Sequence, residues 1–361
     1  MNFEDTDFRQ ETLDIENPYD VKLVSDFLEG LGFDYQVDDV DCSMIVYNLN
    51  DEIVGTGSHK GKVLKYVAVA PKFRDSTAFA IIVTHLSDKL LEQFRRVFVF
   101  TKPSTAVLFE SIGFSLIATA EPLFSVLEFG YKSIKDYQEY LKNNKIAKKT
   151  DKIASIVVNC NPFTNGHLFL IEKAAAENDI LYLFVVETDK SAFPFQVRWD
   201  MIKKGVSHLS NVRMLKGGQY IVSGAIFPNY FLKNESFNQI SQKQADLDIS
   251  IFAKYFVPIL NIKKRYIGTE NYCKTTSAYN DAMHRILPNS GVEVIEIKRI
   301  AIGVDEESNP NFISASKIRN AIKNDDLVNI LDFLPEVTKD FLLSEESLEI
   351  RQKIIQSSGR H

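Results

Sequence analysis

The stretch that most constrains the fold runs from Ile153 to Ala176, where a β-branched segment gives way to a helical pattern. Residues 153–158 form an apolar run that is typical of a buried strand in a parallel sheet. Thr164 is a good N-cap residue, and the apolar residues after it recur on one helical face. The sequence therefore predicts a strand, a turn and a helix that begins at Thr164.

The residues at this turn are suited to bind a phosphate. Backbone N–H groups and the positive end of the helix dipole converge at a helix N-terminus, which favours an anion. Gly166 has no side chain, so a ligand can approach the backbone closely. His167, in the first turn, can donate an imidazole N–H to that phosphate. The alternative is that Thr164 only caps the helix and that His167 is an exposed first-turn residue.

Two motifs resemble those of the nucleotidyltransferase superfamily, whose reactions take place at the α-phosphate of ATP. Thr164-Asn165-Gly166-His167 resembles its (His/Thr)-x-Gly-His motif, and Ile313-Ser314-Ala315-Ser316-Lys317-Ile318-Arg319 resembles its Ile-Ser-x-(Ser/Thr)-x-x-(Arg/Lys) motif. Lys317 and Arg319 can balance the charge of the β- and γ-phosphates at a second helix N-terminus. A Ser-capped surface helix would explain the second motif alone, but both motifs in their usual order indicate a nucleotide site.

Composition limits the class of protein and its partners. The chain has 361 residues, of which 45% are hydrophobic and 25% charged, so a globular protein of two domains is expected. A net charge of −6 argues against nucleic acid as the main partner. Three widely spaced cysteines indicate no disulfide framework and no zinc site, and they fit a reducing cytoplasm. The sequence has no signal-peptide core, and no apolar run is long enough to span a bilayer.

Residues 1–132 are predicted to form a mixed α/β domain. The predicted helices lie at 18–31, at 78–94 and around 107–109, and the predicted strands at 44–49, 53–57, 63–69, 97–100 and 125–129. This order, with Leu108-Phe109-Glu110-Ser111-Ile112-Gly113-Phe114, resembles the GNAT acyltransferase fold. In that fold an (Arg/Gln)-x-x-Gly-x-(Gly/Ala) loop binds the pyrophosphate of acetyl-CoA. Here Thr77 and Phe79 replace its small residues, so the domain either binds a CoA-like group differently or serves as a scaffold or docking surface.

The rest of the chain is predicted to contain a linker at 133–150, a nucleotidyltransferase domain at 151–345 and a C-terminal tail at 346–361. The strands predicted in that domain lie at 153–158, 180–186, 211–215, 265–268 and 292–297. Strands that alternate with helices imply a parallel sheet with ligands at the carboxyl ends of its strands. The predicted fold class is α/β, with a GNAT-like mixed domain followed by a Rossmann-like parallel-sheet domain.

Six stretches together resemble the citrate lyase ligase family. They are residues 159–167, 184–187, 193–195, 227–233, 267–270 and 313–316. The resemblance implies that acetate attacks the α-phosphate of ATP, giving acetyl-adenylate and pyrophosphate. It further implies that a thiol then takes the acetyl group and releases AMP. That thiol belongs to the phosphoribosyl-dephospho-CoA group on the acyl-carrier subunit of citrate lyase, and its acetylation activates the lyase.

Motif position assigns catalytic roles to Thr164, His167 and Arg319. The residues expected to bind ATP are Asn159, Asn161, Pro162, Phe163, Gly166, Gly268, Thr269, Glu270, Ile313, Ser314, Ser316 and Lys317. Lys190 and Arg198 are further candidates, which surface salt bridges would explain equally well. Mg²⁺ is expected on the triphosphate, held largely by phosphates and water rather than by a protein cage. Acetate is ionised at neutral pH, so this nucleophile needs no general base.

Two other functions share these motifs. The first is a transferase that adenylylates a phosphorylated cofactor precursor, which would show no carboxylate-dependent exchange of pyrophosphate. The second is a regulatory protein with an acyltransferase-like sensor domain and a silent nucleotide fold, against which the intact motifs argue. For the ligase, a further hypothesis is that the N-terminal domain grips the prosthetic arm or its carrier.

Overall fold

The structure is a computed structural model of the chain, and the chain divides into two compact units. The structure describes residues 8–187, 191–221, 236–269, 274–299, 301–304, 310–312 and 314–357. The first unit comprises Met1–Tyr137 and Ile226–Ser250, and the second comprises Gln138–Ala225 and Ile251–His361. The boundaries inferred from the sequence at 132, 150 and 345 stay a prediction.

The first unit is built on one mixed sheet of seven strands. In chain order its elements are β1 (Arg9–Leu13), α1 (Pro18–Gly30), β2 (Cys42–Tyr47), β3 (Ile53–Lys60), β4 (Val63–Val69), α2 (Ala78–Gln93), β5 (Arg96–Thr101), α3 (Pro103–Ser111), β6 (Ser115–Ala120) and β7 (Phe124–Gly130). The strand order is β1-β2-β3-β4-β5-β7-β6, with β4 and β5 parallel and the other pairs antiparallel. The predicted strands at 44–49 and 53–57 are present as β2 and β3, and the predicted mixed α/β architecture is confirmed.

The sheet of the first unit is covered on both faces because successive side chains of a strand point to opposite sides. On β2, Met44 and Val46 pack with the buried residues of α2, whereas Ile45 packs with those of α1. The apolar residues of α2 that face the sheet recur at helical spacing, as predicted. Burial of an apolar face against the sheet therefore holds each of these two helices in position.

The second unit contains a parallel sheet and the C-terminal helices. The remaining elements of the chain are α4 (Ile134–Asn143), β8 (Ile153–Val158), α5 (Asn165–Glu177), β9 (Ile180–Val185), α6 (Phe195–Gly205), β10 (Val212–Lys216), α7 (Phe237–Tyr255), α8 (Val257–Leu260), β11 (Lys264–Gly268), α9 (Lys274–Ile286), β12 (Glu293–Ile297), β13 (Ala301–Val304), β14 (Pro310–Phe312), α10 (Ala315–Lys323), α11 (Glu336–Leu343) and α12 (Leu348–Gln356). Of these, α7 belongs mostly to the first unit, and α4 begins in it. Short 3₁₀ helices lie at Val37–Asp39, Pro71–Phe73, Leu287–Ser290, Val328–Phe333 and Glu345–Ser347. The region predicted as a linker thus contains a helix, α4.

The five strands of the parallel sheet follow the order β10-β9-β8-β11-β12. The chain moves outward from β8 to β10 and then returns to the other side of β8 with β11. The order therefore reverses between β8 and β11. In sheets of this kind ligands bind outside the carboxyl ends of the strands at such a reversal. The predicted Rossmann-like sheet is confirmed.

Helices from the end of the chain complete the core of the second unit. Ile318 and Ile322 of α10 are buried with Ile156 of the central strand β8. Ile350 and Ile354 of α12 are buried in the same core, so the residues assigned to a tail include a packed helix. Across the described parts of the chain, no helix is both long and apolar enough to cross a membrane.

We expect Gly205→Ala to destabilise the second unit. A Cβ added to Gly205 would lie 2.5 Å from the ring of Phe163, which is fully buried and cannot swing aside. Overpacking of this kind costs about 1–3 kcal/mol of unfolding free energy. Urea unfolding followed by the fluorescence of Trp199, the single tryptophan, reports on this unit. Gly268→Ala is the matched control, since its added Cβ meets no atom within 4 Å; equal losses in both variants would contradict the prediction.

Candidate functional site

Polar side chains join the turns that follow β8 and β9. Asn161 is buried, and its Oδ1 accepts a hydrogen bond from the backbone N–H of Phe193 at 3.0 Å. The side-chain amide of Asn159 donates to the hydroxyl of Ser191 at 3.0 Å. Both asparagines were predicted to bind ATP, and in the structure their side chains bind the neighbouring turn. These bonds fix the turn that leads into α5.

Arg198 ties the same two turns together from α6. Its side chain is 0% exposed, and its guanidinium donates to the carbonyls of Phe193, Asn159 and Val186 at 2.9, 2.8 and 2.9 Å. The explanation by a surface salt bridge is therefore wrong, because the side chain is enclosed by protein. Arg198 shapes the site by fixing its backbone, and direct contact between Arg198 and ATP stays a prediction.

A reciprocal cap holds the N-terminus of α5. The Thr164 Oγ1 accepts a hydrogen bond from the His167 backbone N–H, and the His167 Nδ1 accepts one from the Thr164 backbone N–H at 3.1 Å. The predicted N-cap at Thr164 is present, and its side chain is buried. The two residues of the motif therefore position each other before any ligand binds.

The cap determines which nitrogen of His167 can serve a ligand. Because Nδ1 accepts a backbone N–H, the neutral ring carries its proton on Nε2. Burial lowers the pKa of His167 to about 4, and the positive charge of Arg299 acts in the same direction. The imidazole is therefore neutral near pH 7, and its Nε2–H is a donor that adds no charge. The ring of Phe163 stacks on it at 6.3 Å between centroids.

The second motif reaches the first through Arg319. Ser314 caps α10 by accepting the backbone N–H of Lys317 at 3.2 Å. From this helix the Arg319 guanidinium donates to the backbone carbonyl of Asn161 and to the hydroxyl of Ser316. Burial lowers the pKa of Arg319 from its ordinary value, although the group stays far too basic to lose its charge near pH 7. The structure thus joins α10 to the turn before α5.

Gly268 and Thr269 lie where β11 ends, on the other side of the strand-order reversal. The Gly268 carbonyl accepts a hydrogen bond from the side chain of Asn280 at 3.1 Å. The Thr269 backbone N–H donates to the carbonyl of Ile297, and the Thr269 Oγ1 accepts the backbone N–H of Arg299. The ends of β11 and β12 are therefore tied to each other at the predicted edge of the sheet.

Arg299 is a candidate residue that the sequence analysis missed. It follows β12, its backbone N–H donates to the Thr269 Oγ1, and its positive charge contributes to the lowered pKa of His167. Arg299 belongs to neither motif. The signal that could have identified it is a cation immediately beyond the carboxyl end of a predicted parallel strand.

The other predicted site residues divide by exposure. Phe163 is fully buried in the core and Pro162 is also buried, so Phe163 could contact a nucleotide only through its backbone. Ser316 and Lys317 are exposed on α10. Three predicted residues, Lys190, Glu270 and Ile313, lie outside the described residues, as does the predicted stretch 227–233.

A five-stranded parallel sheet with a reversal of strand order, together with two capped helix N-termini that Arg319 links, defines a Rossmann-like α/β protein with a candidate anion site. The citrate lyase ligase C-terminal domain family matches residues 153–342. The citrate (pro-3S)-lyase ligase of Escherichia coli (strain K12) is 33% identical over 315 residues, which are 86% of this chain and 87% of the relative. The corresponding ligase of Haemophilus influenzae is 34% identical over 83% of this chain and 88% of the relative. The chain belongs to the citrate lyase ligase family and is an enzyme, a ligase.

Solved structures also match parts of the chain. Thermotoga maritima TmcAL bound with alpha-thio ATP matches 55% of this chain and 56% of its own at 14% identity, with a TM-score of 0.36. A putative N-acetyltransferase from Lactobacillus plantarum matches 35% of this chain and 99% of its own at 12% identity, with a TM-score of 0.30.

The low pKa of His167 predicts a specific pH dependence of stability. A histidine in the unfolded chain titrates near pH 6.5, whereas His167 in the folded protein titrates near pH 4. Between these values the unfolded state binds more protons, so protonation favours unfolding. The contribution is complete above about pH 6.5 and is lost as the pH falls towards 4, by about 3 kcal/mol at most.

His167→Gln separates this titration from the cap, because Gln three residues after a Thr cap can accept the same backbone N–H without titrating. We expect the unfolding free energy of the wild type, measured through Trp199 fluorescence, to fall more steeply than that of the variant between pH 6.5 and 4.5. Parallel curves for the two proteins would show that His167 does not titrate in this way.

Proposed function

We propose that this ligase uses ATP to acetylate the thiol of the phosphoribosyl-dephospho-CoA group on the acyl-carrier subunit of citrate lyase, and so activates the lyase. Acetate first forms acetyl-adenylate with release of pyrophosphate, and the thiol then takes the acetyl group with release of AMP. The single observation that carries the proposal is the hydrogen bond from Arg319 to the carbonyl of Asn161, because it brings the two phosphate motifs together.

The N-terminus of α5 fits the α-phosphate. Thr164 and His167 hold each other in place, and the Nε2–H of His167 is left as a donor on a neutral ring. A Cβ added to Gly166 would meet only the Thr164 Oγ1 within 4 Å, at 3.7 Å. The fold alone therefore does not require glycine at this position. A phosphate that approaches the backbone would require it.

The N-terminus of α10 fits the β- and γ-phosphates. Ser314, Ser316, Lys317 and Arg319 provide two hydroxyls and two cations there, and Arg299 adds charge from the end of β12. We place the nucleoside at Gly268, Thr269 and Glu270, by motif position.

Mg²⁺ belongs to the same proposal as a partner of the triphosphate. Among the residues that the structure describes, no three His, Cys, Asp or Glu side chains group so as to hold a metal ion. We therefore assign the ion to phosphate oxygens and water, which suits a cation that keeps much of its hydration shell. We also place the reaction in the cytoplasm, since the described cysteines, Cys42 and Cys160, are unpaired thiols.

The chemistry needs alignment and charge stabilisation more than proton transfer. The carboxylate of acetate is already ionised, so its attack on the α-phosphate needs no base. A fixed N–H donor and nearby cations stabilise the charge that builds on the phosphate oxygens and on the leaving pyrophosphate. The capped helices hold these groups at their places before the reaction begins.

Acetate-dependent exchange of labelled pyrophosphate into ATP tests the proposed reaction. We expect the wild type to exchange with acetate and His167→Ala to lose about 2–4 kcal/mol of transition-state stabilisation, the range for one preorganised donor. Propionate and citrate serve as controls for the acid. Exchange that requires a phosphorylated acceptor instead of acetate would favour the alternative function, a transferase that adenylylates a phosphorylated cofactor precursor. Equal exchange rates in the wild type and His167→Ala would remove His167 from the mechanism.

Gly166→Ala is expected to separate stability from binding. Alanine is the better helix former by about 0.5–1 kcal/mol, and the ligand-free fold has room for its methyl group. The variant should therefore unfold at the same urea concentration as the wild type or a higher one. Its ATP affinity, measured by calorimetry, should fall at least tenfold. Unchanged ATP affinity would place the phosphates away from this turn.

A further inference from the structure

The first unit contains a cavity that the proposed reaction does not use. Its volume is about 420 Å³, and it lies where β1 and β3 end, β2 begins and α2 ends. Its lining includes a thiol, an imidazole, an amine and a carboxylate, contributed by Cys42, His59, Lys89 and Asp41. A thiol and an amine in one cavity are two nucleophiles of different character.

Strand register and a direct contact bring three of these groups together. Cys42 and His59 are directly opposite each other in the β2–β3 pair, so their side chains are neighbours on one face of the sheet. The Nζ of Lys89, a residue of α2, lies 3.5 Å from the Cys42 Sγ. Cys42 is 9% exposed, and His59 and Lys89 are half-buried, so the cavity is the route by which a reagent reaches the thiol.

The surroundings of His59 suit a proton acceptor. Burial lowers the pKa of His59, while the neighbouring Asp41 carboxylate opposes that effect and Lys89 adds to it. Asp41 is itself held by Lys60 at 2.7 Å and by the Gly61 backbone N–H at 2.6 Å. The imidazole is therefore in its basic form near pH 7 and can take the proton of a thiol beside it.

We propose that Cys42 and Lys89 form an acyl-acceptor site for small acyl thioesters. His59 takes the thiol proton, and the Cys42 thiolate attacks the carbonyl carbon of the donor. The carbon–sulfur bond of the donor breaks, and the departing thiolate receives the proton from His59. At pH 8 the Lys89 ammonium gives one proton to solvent, and its amine attacks the new thioester; an amide forms, the bond to the Cys42 sulfur breaks, and a second amine proton passes to that sulfur. One thioester and one amine thus become one amide and one thiol.

The geometry favours this two-step route over direct attack by lysine. A thiolate is the stronger nucleophile towards a thioester. Once Cys42 is acylated, the 3.5 Å separation is close to a reactive approach, so the second step is intramolecular and gains a high effective concentration. The donor has the chemical class of the thioester that the proposed function makes, but the site needs neither ATP nor adenylate.

The test is acetylation of the full chain by S-acetyl-N-acetylcysteamine, a small thioester, at pH 8 without ATP, followed by peptide mass mapping. We expect acetyl-Lys89 in the wild type. Cys42→Ser should slow acetylation of Lys89 at least tenfold, and Cys42→Ala should do the same. Lys89→Arg should accumulate acetyl on Cys42 that hydroxylamine removes. Lys60→Arg is the matched control, a lysine at the end of β3 that pairs with Asp41, and it should leave acetylation of Lys89 unchanged.

Two results would overturn the proposal. One is acetylation of Lys89 at the wild-type rate in both cysteine variants. The other is a wild-type protein in which exposed lysines become acetylated while Cys42 and Lys89 do not. Circular dichroism confirms that each variant is folded. Acetate-dependent pyrophosphate exchange on the same preparations keeps the outcome separate from the proposed function, because none of these residues belongs to the nucleotide site.

Discussion

One buried guanidinium holds the carboxyl ends of two adjacent strands in the second unit. Arg198 is enclosed by protein, where a charge is costly unless hydrogen bonds compensate for the lost water. Carbonyls of Asn159, Val186 and Phe193 provide them. Since these residues lie in the turns after β8 and β9, the two turns cannot move independently. The N-terminus of α5 begins a few residues beyond Asn159, so the direction in which it presents its donors depends on this contact.

In the first sheet the sequence predicted the inner strands and missed the two that lie at its edges, whereas both edge strands of the parallel sheet, β10 and β12, were predicted. The predicted bounds of β4 and β8 are those observed, because both are largely apolar segments rich in valine or isoleucine. β1 and β6 were not predicted, and they are the two edge strands of the first sheet. Edge strands keep polar residues that discourage further pairing, which weakens the apolar signal, and most of β1 is exposed.

For the site, the sequence identified the cap Thr164 and a second helix that begins at the Ser314–Arg319 motif, but not the role of each nitrogen of His167. Only the backbone contact shows that the Nδ1 of His167 is used by the cap, which leaves Nε2 for a ligand. The burial of Arg198 had a signal in the sequence, since Met201 and Ile202, three and four residues on, are buried on the same helical face. Arg299 had only its position after a strand, since it belongs to no motif.

In the proposed function the neutral imidazole and the charged guanidinium groups of this site have different roles. A neutral His167 would orient an oxygen without adding a charge, and the attraction for a polyanion would come from cations such as Arg319 and Arg299. Arg319 is already held by the carbonyl of Asn161, so a phosphate would meet a side chain whose rotamer entropy has been lost in folding. A charged phosphate oxygen is also a stronger acceptor than a neutral carbonyl. A site built in this way would stabilise developing charge without moving a proton, as the proposed attack by an already ionised carboxylate requires.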